Sequence, residues 1–288
     1  MLRGYLELVR PANVVTAVAD VLAGYAVAGR ANGPALPWLL AATVCLYAGG
    51  VVLNDFFDRE IDAIERPERP IPSGRVPAPR AAALGAALLA AGVVAAARGT
   101  WAAGAIGTGI AALVVLYDAR VKRHAVAGPV NMGLCRGLNV LLGVAAVPAA
   151  LAGSWPIAVI SVVYIAAVTT VSRGEVHGGK AGAAAVALIS LGGVLAALTV
   201  IGLGAGGRAR VFALALTAVL GYRVLPPFWR VHNDPQPVVI RRAVRTGVLS
   251  LVLVDAAISA AYAGPLYGVA VLATALVAGS LARLFSVT

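Results

Sequence analysis

Apolar runs of about twenty residues recur along the whole chain, separated by short charged or turn-rich breaks. A hydrocarbon core of about 30 Å takes about twenty helical residues to cross, so this repetition restricts the chain to a polytopic helical membrane protein. The run from Trp101 to Tyr117 carries no charge at all. Composition agrees: 60% of the 288 residues are hydrophobic and 12% charged, whereas soluble domains run near half apolar and a quarter charged. The breaks place spans at roughly 12–29, 36–57, 80–97, 100–118, 129–151, 155–172, 181–204, 210–226, 243–263 and 265–284. Only Gly264-Pro265 separates the last two, which read as a tight hairpin or as one span with a re-entrant piece. The expected fold is therefore an all-α transmembrane bundle of nine or ten spans, forming one domain over residues 1–288.

A net charge of +11 raises nucleic acid as a partner, but the basic residues gather on neither one face nor a tail. On the ten-span map, 18 of the 23 Lys and Arg fall on one side and 4 (Arg30, Arg98, Arg208, Arg210) on the other, with Arg136 inside a span. By the positive-inside rule the majority side, which includes the N-terminus and the breaks after even-numbered spans, faces the cytoplasm. Those residues then meet anionic membrane lipids and not nucleic acid. In a bacterium the membrane is the inner (plasma) membrane. The N-terminal segment lacks a small-residue cleavage pattern and reads as retained, not as a signal peptide. Cys45 and Cys135 lie in apolar runs and read as buried free thiols, not as a disulfide framework.

The breaks at roughly 54–80, 118–131 and 172–180 hold nearly all the polar residues capable of chemistry. The first and third each follow an even-numbered span about four spans apart, a faint trace of internal duplication. Residues 54–62 read NDFFDREID. If the second span stays helical to Asp62, steps of about 100° per residue put Asn54, Asp58, Asp62 and Asp55 within one arc of about 100°, with Glu60 at about 240°. Four oxygen-bearing groups on one stripe repel one another unless a cation lies among them. Mg²⁺ is the natural one, since it takes a few carboxylates and completes its shell with water and substrate phosphate. A solvated helix end with a chance acidic run is the plain alternative. The following RPERPIPSGR weighs against it: Arg66, Arg69 and Arg75 on a proline-stiffened turn suit phosphate oxygens. Tyr117, Lys122, Arg120 and Arg123, then Gly128 and Asn131, supply a further basic patch, in which Lys122 reads as a phosphate clamp or as a positive-inside anchor.

These residues resemble the UbiA superfamily of intramembrane prenyltransferases. The likeness rests on Arg10-Pro11-x-Asn13, the NDxxDxxxD stripe at 54–62, RPIPSG at 69–74, and the Tyr117…Lys122…Asn131 segment. Within that superfamily, SRGEVHGG (172–179) and NMGLCRG (131–137) look most like the EboC-type branch. The resemblance implies a helical bundle around a central cavity open to lipid. In it, Mg²⁺ holds a prenyl diphosphate and the prenyl chain passes to an aromatic or other lipophilic acceptor. Carried over, Asn54, Asp55, Asp58 and Asp62 would hold Mg²⁺, with Asp58, Asp62 and Lys122 central to catalysis. Arg69 and Lys122 would contact phosphate, and Asn13 would line the cavity mouth. Arg75, Tyr117, Asn131, Arg136, Arg173 and His177 complete the expected substrate-binding set. The family's second DxxDxxxD motif is reduced here to Ser172, Glu175 and Gly179. Glu175 is thus its one remaining metal ligand, beside Arg173, His177 and Lys180. A degenerate second motif leaves a competing class open: a lipophile carrier, or a scaffold, reusing the fold.

Inside the spans, Asp20, Asp255, Arg136 and Asn139 are costly at bilayer depth and read either as structural pairs or as acceptor-binding groups. His124 and His232 carry no ligand signal. His177, beside Glu175, is the histidine to watch for acid-base work.

Overall fold

The computed structural model describes residues 2–29 and 34–284. Arg30, one of the four basic residues expected on the sparsely charged side, lies outside the described residues, as does the side chain of Arg283. The described residues form eleven α-helices and no strand: α1 (Leu2–Val9), α2 (Pro11–Val27), α3 (Leu36–Glu65), α4 (Ala78–Gly99), α5 (Trp101–Leu116), α6 (Ala127–Val144), α7 (Leu151–Ser172), α8 (Ala181–Gly204), α9 (Gly207–Asn233), α10 (Pro237–Ala263) and α11 (Pro265–Leu284).

The ten expected spans coincide in order with α2 to α11. Among the described residues, seven helical segments are long and apolar enough to cross a membrane: α3, α4, α5 with the turn that follows it, α7 with the short turn that precedes it, α8, α9 and α10. The others are short, as α2 and the described part of α11 are, or polar, as α6 is with Asn131, Arg136 and Asn139. Large apolar side chains stand outward, with Ile189 77% and Leu266 87% exposed. Such a surface belongs in lipid; in water it would drive aggregation.

Four boundaries differ from the expected ones by six residues or more; the second span was expected to end at 57 and the fifth at 151, whereas α3 ends at Glu65 and α6 at Val144. The eighth span was expected to stop at 226, but α9 runs through Pro226 and Pro227 to Asn233. Proline removes one internal hydrogen bond and crowds the preceding turn, and a packed membrane helix absorbs that loss without ending. Helix α10 correspondingly begins at Pro237, six residues before the expected start. At the other end of α10, Gly264 adopts φ 91, a conformation that favours glycine. It turns the chain so that α11 packs back on α10 and α2.

Two apolar cores flank a shared pair of helices. One joins α7–α11, the other α3–α5, and α2 and α6 contribute to both. The α2–α6 crossing depends on two glycines that face each other's backbone. A Cβ on Gly24 would lie 1.9 Å from the Val140 carbonyl, and one on Gly143 would lie 2.1 Å from that of Val21. Small residues let membrane helices approach this closely. Gly143→Val is therefore expected to abolish the folded, monodisperse protein on size-exclusion chromatography in detergent. Gly153→Val, where nothing lies within 4 Å of an added Cβ, is expected to be neutral.

Candidate functional site

With 30 residues, α3 is about 45 Å long, so its last turns emerge from the apolar layer. There it carries the acidic stripe, and the helix continues through Asp62 to Glu65 as the stripe requires. Asp55 and Asp62 are 3% and 4% exposed, while Glu60 faces outward.

Each stripe residue meets a partner from outside its own helix. Asp55 accepts from Arg10 Nη2 at 2.6 Å and Arg69 Nη1 at 3.3 Å. The same Arg69 nitrogen donates to Asp62 Oδ2 at 2.7 Å. Lys122 Nζ donates to Asp58 Oδ1 at 2.5 Å, and Asn54 Nδ2 to Asp118 Oδ1 at 2.8 Å. Asp118 was not singled out in the sequence. It follows Tyr117 in a π-helical turn, Tyr117–Val121, and the wider turn brings Asp118 and Lys122 toward α3. An ionisable residue at the end of an apolar run was the signal available for it.

Arg10 is the one described non-glycine residue with positive φ, 48. A left-handed residue ahead of a proline costs about 1–3 kcal/mol and persists where its surroundings hold it. Here Asp55 holds it. Burial pushes the Arg10 guanidinium below its ordinary pKa, and the Asp55 carboxylate opposes that shift.

Two cavities meet at Arg10. The inner one, about 230 Å³, has apolar walls from Leu46, Val51, Ile110, Val114 and Met132. Asn13, Asn54, Tyr117 and Asp118 line it as well, and so do Arg136 and Asn139. The outer one, about 640 Å³, is polar and holds Asp55, Arg66, Arg69, Arg75, Glu175 and Arg241. Glu175 thus faces the Arg66–Arg75 turn across this cavity. Its carboxyl is pushed up by burial, with Arg66 and Arg241 pulling it back, and Arg241 Nη1 donates to its backbone carbonyl at 3.0 Å.

The structure therefore gathers Asn54, Asp55, Asp58, Asp62, Arg69 and Lys122 at one end of the bundle, with Glu175 opposite and Asn13 and Tyr117 beneath. Arg75 lines the outer cavity but is engaged by Glu7 Oε2 at 2.5 Å and the Glu68 carbonyl at 2.6 Å. Three expected residues lie elsewhere. Asn131 is buried in α6 beside Cys135 and His177 is exposed. Arg173 donates to the carbonyls of Lys122, Arg123 and His124 at 3.2, 2.9 and 3.0 Å, so it secures the turn that presents Lys122.

Among the described residues no three Asp, Glu, His or Cys groups converge as a ready cation cage. The donor chemistry nevertheless fits a hard cation: carboxylate and amide oxygens predominate. Each stripe carboxylate is matched by a guanidinium or ammonium that suits phosphate. The same ion pairs therefore hold both halves of what a metal-phosphate ligand requires.

Residues 16–243 match the UbiA prenyltransferase family. Over 141 residues the chain is 33% identical to the digeranylgeranylglyceryl phosphate synthase of Methanothermobacter thermautotrophicus, covering 48% of this chain and 49% of that relative. The chain matches about half or less of the length of such curated relatives. In fold it is similar to a UbiA homologue from Aeropyrum pernix K1, with a TM-score of 0.71 at 19% identity over 85% of this chain and 96% of that one. A UbiA homologue from Archaeoglobus fulgidus, bound to DMAPP and Mg²⁺, gives a TM-score of 0.58 at 16% identity over 88% and 99%.

Proposed function

Because the chain belongs to the UbiA prenyltransferase family, we propose that it transfers a prenyl group from a prenyl diphosphate to an aromatic or other lipophilic acceptor within the membrane. The observation that carries this reading is the meeting of a polar, ion-paired cavity and an apolar one at Arg10. A diphosphate fits the first, a prenyl chain and an acceptor the second.

Asn54, Asp55, Asp58, Asp62 and Glu175 would hold Mg²⁺, which when bound offsets charge on the departing diphosphate. In the free protein Lys122 and Arg69 are held by Asp58 and Asp62. When a diphosphate arrives, these cations take its oxygens, so no buried charge is left uncompensated at any stage. Fixed cations aimed at the leaving group lower the barrier to breaking the allylic C–O bond. The apolar walls keep water from the allylic cation until the acceptor captures it. Arg173 acts at one remove, by fixing the Lys122 turn.

On this reading the whole chain is one membrane domain, with α2–α11 as ten spans and the acidic end in the cytoplasm, as the basic-residue asymmetry requires. SRGEVHGG and NMGLCRG favour the EboC-type branch within the family. A second reading, a lipophile carrier, is favoured by Ser172 and Gly179 standing where the family's second motif has carboxylates. Glu175→Ala separates the two. A transferase is expected to lose about 100- to 1,000-fold in turnover, as when one transition-state contact is removed, while Mg²⁺-dependent diphosphate binding, still supported by Asn54, Asp55, Asp58 and Asp62, falls much less. A carrier would keep its binding and have no turnover to lose, in the wild type as in the variant.

A further inference from the structure

Asp20, Arg136, Asn139 and Asp255 form one polar cluster at the inner end of the apolar cavity. Arg136 is 6% exposed. Its Nε stands 3.1 Å from Asp20 Oδ2, its Nη2 donates to Thr16 Oγ1 at 3.0 Å, and its guanidinium lies over the Tyr47 ring at 5.5 Å. Its Nη1 has no hydrogen-bond partner among the described residues. Asn139 is committed: its amide donates to Asp20 and to the Ala17 carbonyl, each at 2.8 Å, and its oxygen accepts from Thr43 at 2.8 Å. Arg136 and Tyr47 both line the cavity. A buried N–H left unmade is costly, and the open donors here belong to a cavity-lining group.

The charge of Arg136 is not similarly available. Asp20 already neutralises it, and the Asp255 carboxyl lies against Asp20 from α10. An incoming anion would add a further negative group around a single cation in a low-dielectric interior. We propose that the inner end of this cavity is the acceptor subsite, where the guanidinium of Arg136, a residue that lines it, takes an uncharged hydroxyl or carbonyl oxygen of the acceptor. Asp20 sets that preference by silencing the arginine's charge. The assignment rests on the prenyltransferase reading above and names the class of acceptor that reading leaves open.

The test uses the full chain in lipid nanodiscs and compares saturable binding of 1-naphthol and 1-naphthoate, each corrected against empty nanodiscs. The wild type is expected to bind naphthol saturably and naphthoate not. Asp20→Asn frees the guanidinium charge and is expected to shift the ratio toward naphthoate by about tenfold, as a single desolvated ionic contact would. Asp20→Asn/Arg136→Met, which leaves no stranded charge at that pair, is expected to lose naphthol binding. Saturable naphthoate binding by the wild type, an unmoved ratio in Asp20→Asn, or undiminished naphthol binding in the double variant would each overturn the subsite. Mg²⁺-dependent binding of geranylgeranyl diphosphate to the same wild-type samples separates the two levels. Retained diphosphate binding beside a failed naphthol result sinks the subsite alone, and absent diphosphate binding removes the reading beneath it.

Discussion

Asp58→Ala is expected to lower prenyl transfer by about a thousandfold, a loss of about 4 kcal/mol of transition-state stabilisation. Glu60→Ala, two residues away, is expected to stay within about twofold, as surface substitutions usually do. The contrast follows from helical geometry. Asp58 faces Lys122 at 2.5 Å, whereas Glu60 points outward and meets Arg59 on the exposed side of α3. Removing Asp58 takes away a proposed Mg²⁺ ligand and at once frees Lys122 from the partner that positions it. Initial rates of both variants, at matched amounts of folded protein, provide the check. Equal losses would mean that the stripe does not organise the site.

Among substitutions at the site, Arg69→Ala is expected to have the largest effect on stability. Arg69 pairs with Asp62 and shares Asp55 with Arg10. The side chains of Arg69 and Asp62 are 12% and 6% exposed, so solvent does little to screen the loss. Breaking a buried pair from one side costs about 3–5 kcal/mol because the other charge stays buried. For a chain of this length that corresponds to a fall in melting temperature of about 10 °C. Asp62→Asn in the same chain removes the stranded charge and is expected to recover most of the loss. Thermal unfolding of the three proteins in the same lipid decides it, and a double variant no better than Arg69→Ala would show that the pair is not what stabilises this end.

The helices and the acidic stripe were legible because both are local patterns. Apolar run length marks a membrane helix, and a 3.6-residue period sets which carboxylates share a face. The partners were not legible, because Arg10–Asp55 and Lys122–Asp58 join residues 45 and 64 positions apart. Asp118 was missed for a related reason: a π-helical turn changes the angular step, and residue spacing does not announce one. Arg173 was expected to touch substrate on its charge and motif position, yet its guanidinium goes to three backbone carbonyls, a use that leaves no trace in sequence. Arg136 and Asp20 were recognised as expensive at bilayer depth. Their pairing across the glycine-mediated α2–α6 crossing became visible only once the helices were packed.

Prenyl transfer by this chain is tested most directly by turnover of radiolabelled geranylgeranyl diphosphate by the purified protein in lipid, with Mg²⁺ or with EDTA, and a cell lipid extract as acceptor. The expected result is a labelled lipophilic product that forms with Mg²⁺ and vanishes with EDTA. Saturable, Mg²⁺-dependent binding of the diphosphate without any such product would contradict it and leave the chain a carrier.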